Sequence, residues 1–272
     1  MDGHELIFAG LDIGSLTAKA VLLENDIMIA SAIIRVRPSA LDSAKDVMNA
    51  VIMEKGLSEQ DIACCCATGY GRLDIPFADL NMSEISCHGM GAFFTDNGIR
   101  TIIDIGGQDC KVIVVNEKGL IKDFIMNDKC AAGTGRSLEM LAKTLDVPLS
   151  SLGPLTLKSW RPIDITNKCS IFMELEVLDA LYSGKKLTHI AAGLSDAVAK
   201  RVASLSASVQ MENPVCVTGG VSKNKGVLKF LEKRMQRTFV VLPVDPQIAG
   251  ALGAAVFAMR SFEKKEKEAF RK

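Results

Sequence analysis

The sequence predicts an α/β protein made of two similar halves, and three observations carry that expectation. An octapeptide occurs twice, DIGSLTAK at Asp12 to Lys19 and DIGGQDCK at Asp104 to Lys111, with aspartate, glycine and lysine at the same spacing. Each copy follows an apolar run (Leu6 to Leu11, Ile99 to Ile103) and precedes another (Ala20 to Leu23, Val112 to Val115), the pattern of strand, tight glycine turn, strand. The 272 residues, 48% of them hydrophobic, suffice for a core in one large domain or two small ones. The expected division is 1–96 and 97–272, with the C-terminal helix returning to the first half.

Taken in order, Ser43 to Lys55 sets Val47, Ala50 and Val51 at helical spacing, with Leu57 just beyond and Gly56 as the stop. A strand follows over Ile62 to Ala67, in which Cys64, Cys65 and Cys66 read as buried apolar residues rather than as ligands. ATGYGR, Ala67 to Arg72, is a glycine-bracketed turn at that strand's end, and Ser83 to Phe94 reads as a helix closing the first half. The second half begins near Ile99, and its hairpin leads through Leu120 to Met126 into NDKCAAGTGRSLEMLAKTL. There Leu138, Leu141, Ala142 and Leu145 fall on one helix face, which puts Gly133, Thr134 and Gly135 at a helix start. Another helix is expected from Ser170, directly after Cys169, with Ile171, Leu175, Leu178 and Tyr182 on one face and Gly184 as its stop. Ile190, Leu194, Val198, Val202, Leu205 and Val209 mark a long amphipathic helix. The strand Val215 to Thr218 then runs into GGVSKNKGV, and Gly250 to Met259 forms a packed helix with a solvated end, SFEKKEKEAFRK.

Composition excludes several classes. Lys plus Arg and Asp plus Glu both total 32 and aromatics make up only 5%, so neither a basic stripe nor a stacking platform for nucleic acid is expected. MDGHELIFAG lacks the basic region and apolar core of a signal peptide, and no apolar run approaches a membrane span, which places the chain in the cytoplasm. Eight cysteines in that reducing compartment are not a disulfide framework, and no C-x-x-C pair nominates a zinc site. His4, His88 and His189 stand beside no obvious nucleophile, which argues against a triad hydrolase.

The chemistry lies in the turns. A carboxylate at a strand end can orient hydrated Mg²⁺, and a glycine turn lets backbone N–H groups approach phosphate oxygens with no Cβ in the way. Two such turns and the later glycine pair Gly219-Gly220 resemble, in order and spacing, the ATPase fold shared by actin, the heat-shock chaperone ATPases and sugar kinases. The resemblance implies a duplicated actin-like (ribonuclease H-like) fold around a nucleotide cleft. ATP or ADP and Mg²⁺ would be its ligands. Asp12 and Asp104 would orient the metal and Gln108 the attacking water, while Gly14, Ser15, Thr17, Lys19, Gly106 and Gly107 would grip phosphates. Gly133, Gly135, Gly219, Gly220, Asn224 and Gln247 complete the implied nucleotide-binding set.

NDKCAAGTGR around Cys130, NKCSIFMELEV around Cys169, DIGGQD, ATGYGR and SEISCHGMGA together resemble the activators of 2-hydroxyacyl-CoA dehydratases and the related ATPase subunits of benzoyl-CoA reductases, over almost the whole chain. The resemblance implies a homodimer in which Cys130 and Cys169 of both copies hold one [4Fe-4S] cluster. It implies transfer of one electron, driven by ATP hydrolysis, from ferredoxin or flavodoxin to a CoA-ester dehydratase or reductase. Two cysteines at helix starts suit an anionic cluster in any case, because N–H dipoles there favour negative charge. The alternatives are an ATPase subunit of a benzoyl-CoA-type reductase, or a cluster-free ATPase or kinase of the same fold. Lys168 stands where the family usually has a small residue, and Met173-Glu174-Leu175-Glu176 where it has Ala-Glu-Ser-Glu, which bears on the acceptor rather than on the cysteines.

Overall fold

A computed structural model describes residues 6–128 and 131–269, so Lys129 and Cys130 lie outside the described residues. The chain forms two compact units, one of Met1–Arg100, Val115–Lys122 and Leu242–Lys272, the other of Thr101–Val114 and Asp123–Val241.

In the first unit β1 (Ile7–Ile13), β2 (Thr17–Glu24) and β3 (Ile27–Arg35) form an antiparallel meander, followed by helix α1 (Ala40–Lys55). Ser39 caps α1 by accepting from the Asp42 N–H, and Gly56 ends it in the left-handed region at φ 66°. Strand β4 (Ile62–Thr68) lies parallel to β1, the short β5 (Leu80–Asn81) parallel to β4, and α2 (Glu84–Thr95) follows its cap Ser83. The order β3-β2-β1-β4-β5 leaves both faces of the centre covered. Ile7, Ala9, Leu11 and Ile13 pack towards α1, and the alternate Phe8 towards α2 and the C-terminal helix. The same period of two splits the cysteine triplet: Cys65 faces the α1 core, whereas Cys64 and Cys66 face the other. Three adjacent cysteines on a central strand therefore cannot converge on one ion.

In the second unit β6 (Thr101–Ile105) and β7 (Cys110–Val115) form a hairpin, and β8 (Ile121–Asn127) and β9 (Val215–Thr218) complete the order β8-β7-β6-β9. Helices α3 (Gly135–Thr144), α4 (Leu152–Leu157), α5 (Ser170–Tyr182), α6 (Leu187–Ser206) and α7 (Lys225–Met235) supply its core with β6 and β7. The last helix, α8 (Ala249–Ala269), packs in the first unit against α2 and the sheet. Gly10, Gly91 and Gly253 let these backbones touch, since a Cβ on any of them would run into main-chain atoms of the facing element. No helix among the described residues is long and apolar enough to cross a membrane.

Two sequence expectations shift. Ile171, Leu175 and Tyr182 on α5 are exposed, and the buried face of that helix carries Met173, Val177 and Ala180. Apolar residues occupy both sides of α5, so periodicity alone does not select the side that meets the core. Helix α6 stops at Ser206, leaving Val209 beyond its end.

Candidate functional site

Both glycine hairpins close in the same way. In the first, Ile13 lies opposite Ala18 and the Gly14 N–H donates to the Thr17 carbonyl at 3.1 Å; in the second, Ile105 lies opposite Cys110 and the Gly106 N–H donates to the Asp109 carbonyl at 3.0 Å. One residue earlier, Asp12 is paired with Lys19 and Asp104 with Lys111 across the ladder. All four are buried. Lys19 Nζ is 3.0 Å from Asp12 Oδ2, whereas Lys111 Nζ is 3.4 Å from Asp104 Oδ2 and 2.8 Å from Asp109 Oδ1. A buried carboxylate is tolerable only when a cation and hydrogen-bond donors balance it, and each turn supplies these locally.

A parallel strand flanks each aspartate. Thr68 on β4 lies in register with Asp12, and Thr218 on β9 with Asp104. After each threonine stands a glycine with positive φ, Gly69 at 92° and Gly219 at 83°. A Cβ on Gly69 would lie 2.5 Å from the Ile13 carbonyl oxygen and 2.7 Å from Asp12 Oδ1. One on Gly219 would collide with the Ile105 carbonyl and come within 2.8 Å of Asp104 Oδ1. With ψ 171°, Gly219 also occupies backbone space that is essentially glycine-only. Thr68, Gly69, Thr218 and Asp109 were not among the sequence candidates. The signal for the first three is the Thr-Gly dipeptide that ends an apolar strand in each half, and for Asp109 its place inside the second octapeptide.

The other candidates distribute around these turns. Gly14, Ser15 and Thr17 form the first turn, and Gln247 Nε2 donates to Thr17 Oγ1 at 3.3 Å. Gly106 and Gly107 lie in the second turn with Gln108 exposed at its tip. Gly133, at φ 92°, packs against the Arg201 side chain, while Gly135 opens α3. The Gly135 N–H donates to the Gly106 carbonyl at 2.9 Å and the Arg136 N–H to the Gly107 carbonyl at 2.8 Å. Gly220 begins the short turn after Gly219, and the Asn224 side chain caps α7 by accepting from the N–H groups of Gly226 and Val227.

Of the seven described cysteines, six are buried and Cys169 alone is partly exposed, at the N-cap of α5 with no capping bond from its side chain. Burial, with Asp79 adding to it, pushes the Cys64 thiol up to about 11 and the Cys65 thiol to about 12, so both stay protonated near neutrality. Burial and the neighbouring Asp104 likewise raise Cys110. No cluster of three His, Cys, Asp or Glu side chains placed to hold a metal occurs among the described residues. Cys169 suits a metal thiolate by its exposure and helix-start position, and the described residues of one chain do not complete a ligand set around it.

Paired strand-turn-strand units with buried aspartates define the actin-like ATPase fold. A Streptomyces griseus ROK-family glucokinase in complex with glucose and AMPPNP shares that fold at a TM-score of 0.55 and 16% identity, over 93% of this chain and 99% of that one. The chain belongs to the BadF/BadG/BcrA/BcrD ATPase family, whose model matches residues 9–258. It is 41% identical to the activator of lactoyl-CoA dehydratase from Anaerotignum propionicum, over 94% of this chain and 98% of that one. The structure of the activator of the 2-hydroxyisocaproyl-CoA dehydratase from Clostridium difficile with bound ADPNP superposes with a TM-score of 0.92 at 39% identity, covering 97% of this chain and 98% of that one.

Proposed function

We propose that this chain hydrolyses ATP to drive one electron, at low potential, into a 2-hydroxyacyl-CoA dehydratase. The observation that carries the reading is the presence in one chain of two turn-held aspartates and a single accessible described cysteine at a helix start. Relatives near 40% identity that are dehydratase activators support it.

In the hydrolytic step water attacks the γ-phosphorus, the bond to the bridging oxygen breaks, ADP and phosphate leave, and a proton goes to solvent. Asp12 and Asp104 are the carboxylates that would hold hydrated Mg²⁺, which would neutralise phosphate charge; the buried oxygens of each, kept clear of any Cβ at Gly69 and Gly219, fit that task. The two turns, Gly14, Ser15 and Thr17 in one and Gly106 and Gly107 in the other, would grip phosphate oxygens together with Lys19; the Gly14 and Gly106 N–H groups close the hairpins, which leaves the other N–H groups of the turns to face the phosphates. Gln108, exposed at its turn, orients the water. Gly219, Gly220, Asn224 and Gln247 position the rest of the nucleotide.

Cys169, together with Cys130 and the same pair from a second copy, would hold a [4Fe-4S] cluster, which supplies a one-electron carrier. Reduced ferredoxin or flavodoxin is oxidised by one electron and the dehydratase is reduced by one. A push of a few hundred millivolts takes on the order of 5 to 10 kcal/mol, within reach of nucleotide hydrolysis. The exposed stripe of Ile171, Phe172, Leu175 and Tyr182 beside Cys169 favours burial by a second copy. The reading places the protein in a reducing cytoplasm.

Anaerobic iron and sulfide analysis of the reconstituted protein, with ATPase turnover, tests the proposal. About four iron atoms per two chains are expected. Iron-free protein that still hydrolyses ATP would point instead to the cluster-free ATPase.

A further inference from the structure

The second phosphate turn and the helix that begins at Cys169 are joined within one unit by an unbroken set of bonds. The turn is tied to the start of α3 by the Gly135 and Arg136 N–H groups, 2.9 Å and 2.8 Å from the Gly106 and Gly107 carbonyls. Helix α3 is a stiff rod about 15 Å long at ~1.5 Å per residue. At its far end Thr144 Oγ1 lies 2.8 Å from Glu174 Oε1 of α5 and 3.2 Å from the Met140 carbonyl, so the shorter contact, to a carboxylate, takes the hydroxyl proton. Two residues further along α5, Glu176 Oε2 accepts from the Thr166 N–H at 2.7 Å and pins the segment that leads into Cys169. Leu138, Leu141 and Ala142 of α3 and Met173 and Val177 of α5 share one core, so the two helices cannot slide past each other without opening it.

Resting on the reading of the turns as phosphate-binding elements, we propose that Thr144 and Glu174 are positioning residues that lock α5 to α3, so that the state of the phosphate turn sets the exposure of Cys169. Glycine at 135 allows the close approach at the other end: a Cβ there would lie 3.2 Å from the Gly106 oxygen, so the turn and the start of α3 would have to part by a few tenths of an ångström. A ligand that moves the Gly106-Gly107 backbone displaces the first turn of α3, and the displacement reaches α5 through the Thr144 hydroxyl. Glu174 thereby acts on the cysteine without touching it.

The test is the alkylation rate of the Cys169 peptide, followed by mass spectrometry in the iron-free, reduced full-length chain, without nucleotide, with ADP and with a non-hydrolysable ATP analogue. Nucleotide affinity is measured on the same samples. In the wild-type chain the analogue should change the rate at least threefold. In Thr144→Val and Glu174→Ala the affinity should stay within twofold while the nucleotide-dependent change disappears, and Thr144→Ser should restore it. A response that persists undiminished in both variants, or a wild-type rate indifferent to bound nucleotide, overturns the proposal alone. A wild-type chain that binds no nucleotide overturns the phosphate-turn reading and this proposal with it.

Discussion

Asp12 has Lys19 as its ion-pair partner, whereas Asp104 shares Lys111 with Asp109 and also accepts from Thr218 Oγ1 at 2.9 Å. The corresponding Thr68 turns its hydroxyl away, donating to the Met82 carbonyl at 2.9 Å. The skeleton is duplicated down to strand register, yet the second carboxylate sits in a network and the first in a simple pair. A duplicated backbone therefore fixes where the two aspartates stand, while single side chains decide how much each can be disturbed. Asp109 belongs to the turn itself, so the second turn carries a charge that the first, with Thr17 in that place, lacks.

The largest effect is expected at the glycines beside the aspartates. Gly219→Ala combines a glycine-only conformation with a backbone collision, and should cost more than about 2 kcal/mol and reduce nucleotide affinity at least 100-fold. Gly56→Ala, at φ 66° with open space around it, should cost only about 1 kcal/mol and leave affinity unchanged. Urea denaturation and nucleotide titration compare the two. Equal losses would mean that strain, not the aspartate contact, dominates.

Next come the carboxylates. Asp12→Asn removes the ion-pair partner of buried Lys19 and should destabilise the nucleotide-free protein by about 3 kcal/mol, while Asp104→Asn leaves Lys111 with Asp109 and should cost about half as much. The reverse order would show that the second network is held chiefly by Asp104. On the scale of the Asp104 loss, Thr218→Val removes a bond to a charged acceptor, about 1.5 kcal/mol, and, smaller again, Thr68→Val a bond to a neutral one, about 1 kcal/mol. Only the former should alter the Mg²⁺ dependence of turnover.

The last effect vanishes near neutral pH, where it is the smallest, and concerns the buried thiols. In the unfolded chain Cys64 and Cys65 ionise near their ordinary value of 9.0, but in the folded chain only near 11 and 12. Their contribution to stability is thus full below about pH 9 and is lost as pH rises through 11 to 12. Cys64→Ala with Cys65→Ala should flatten the alkaline fall in Tm, measured from pH 8 to pH 11. An unchanged slope would assign that fall to other groups.

Much of this architecture is legible in the chain. The repeated Asp-Ile-Gly with a lysine seven residues after the aspartate announces two hairpins in one register, and the glycines at 56 and 184 stop helices where left-handed backbone is needed. The cysteine triplet reads correctly as a strand because no helix or chelate gathers three adjacent side chains to one point. Asp109 hides inside the second octapeptide, and the Thr-Gly pairs are too short to stand out until β4 and β9 are seen beside β1 and β6.

By itself the sequence determined the local chemistry: which residues sit in glycine turns, which segments are strands or helices, and which cysteine begins α5, because these depend on neighbours a few residues away. It did not determine which side of α5 meets the core, which hydroxyl turns towards a carboxylate, or which aspartate shares its lysine. Those depend on contacts between residues as distant as Asp104 and Thr218, or Thr144 and Glu174. Only packing brings such pairs within hydrogen-bond distance, and burial then makes the choice energetically decisive.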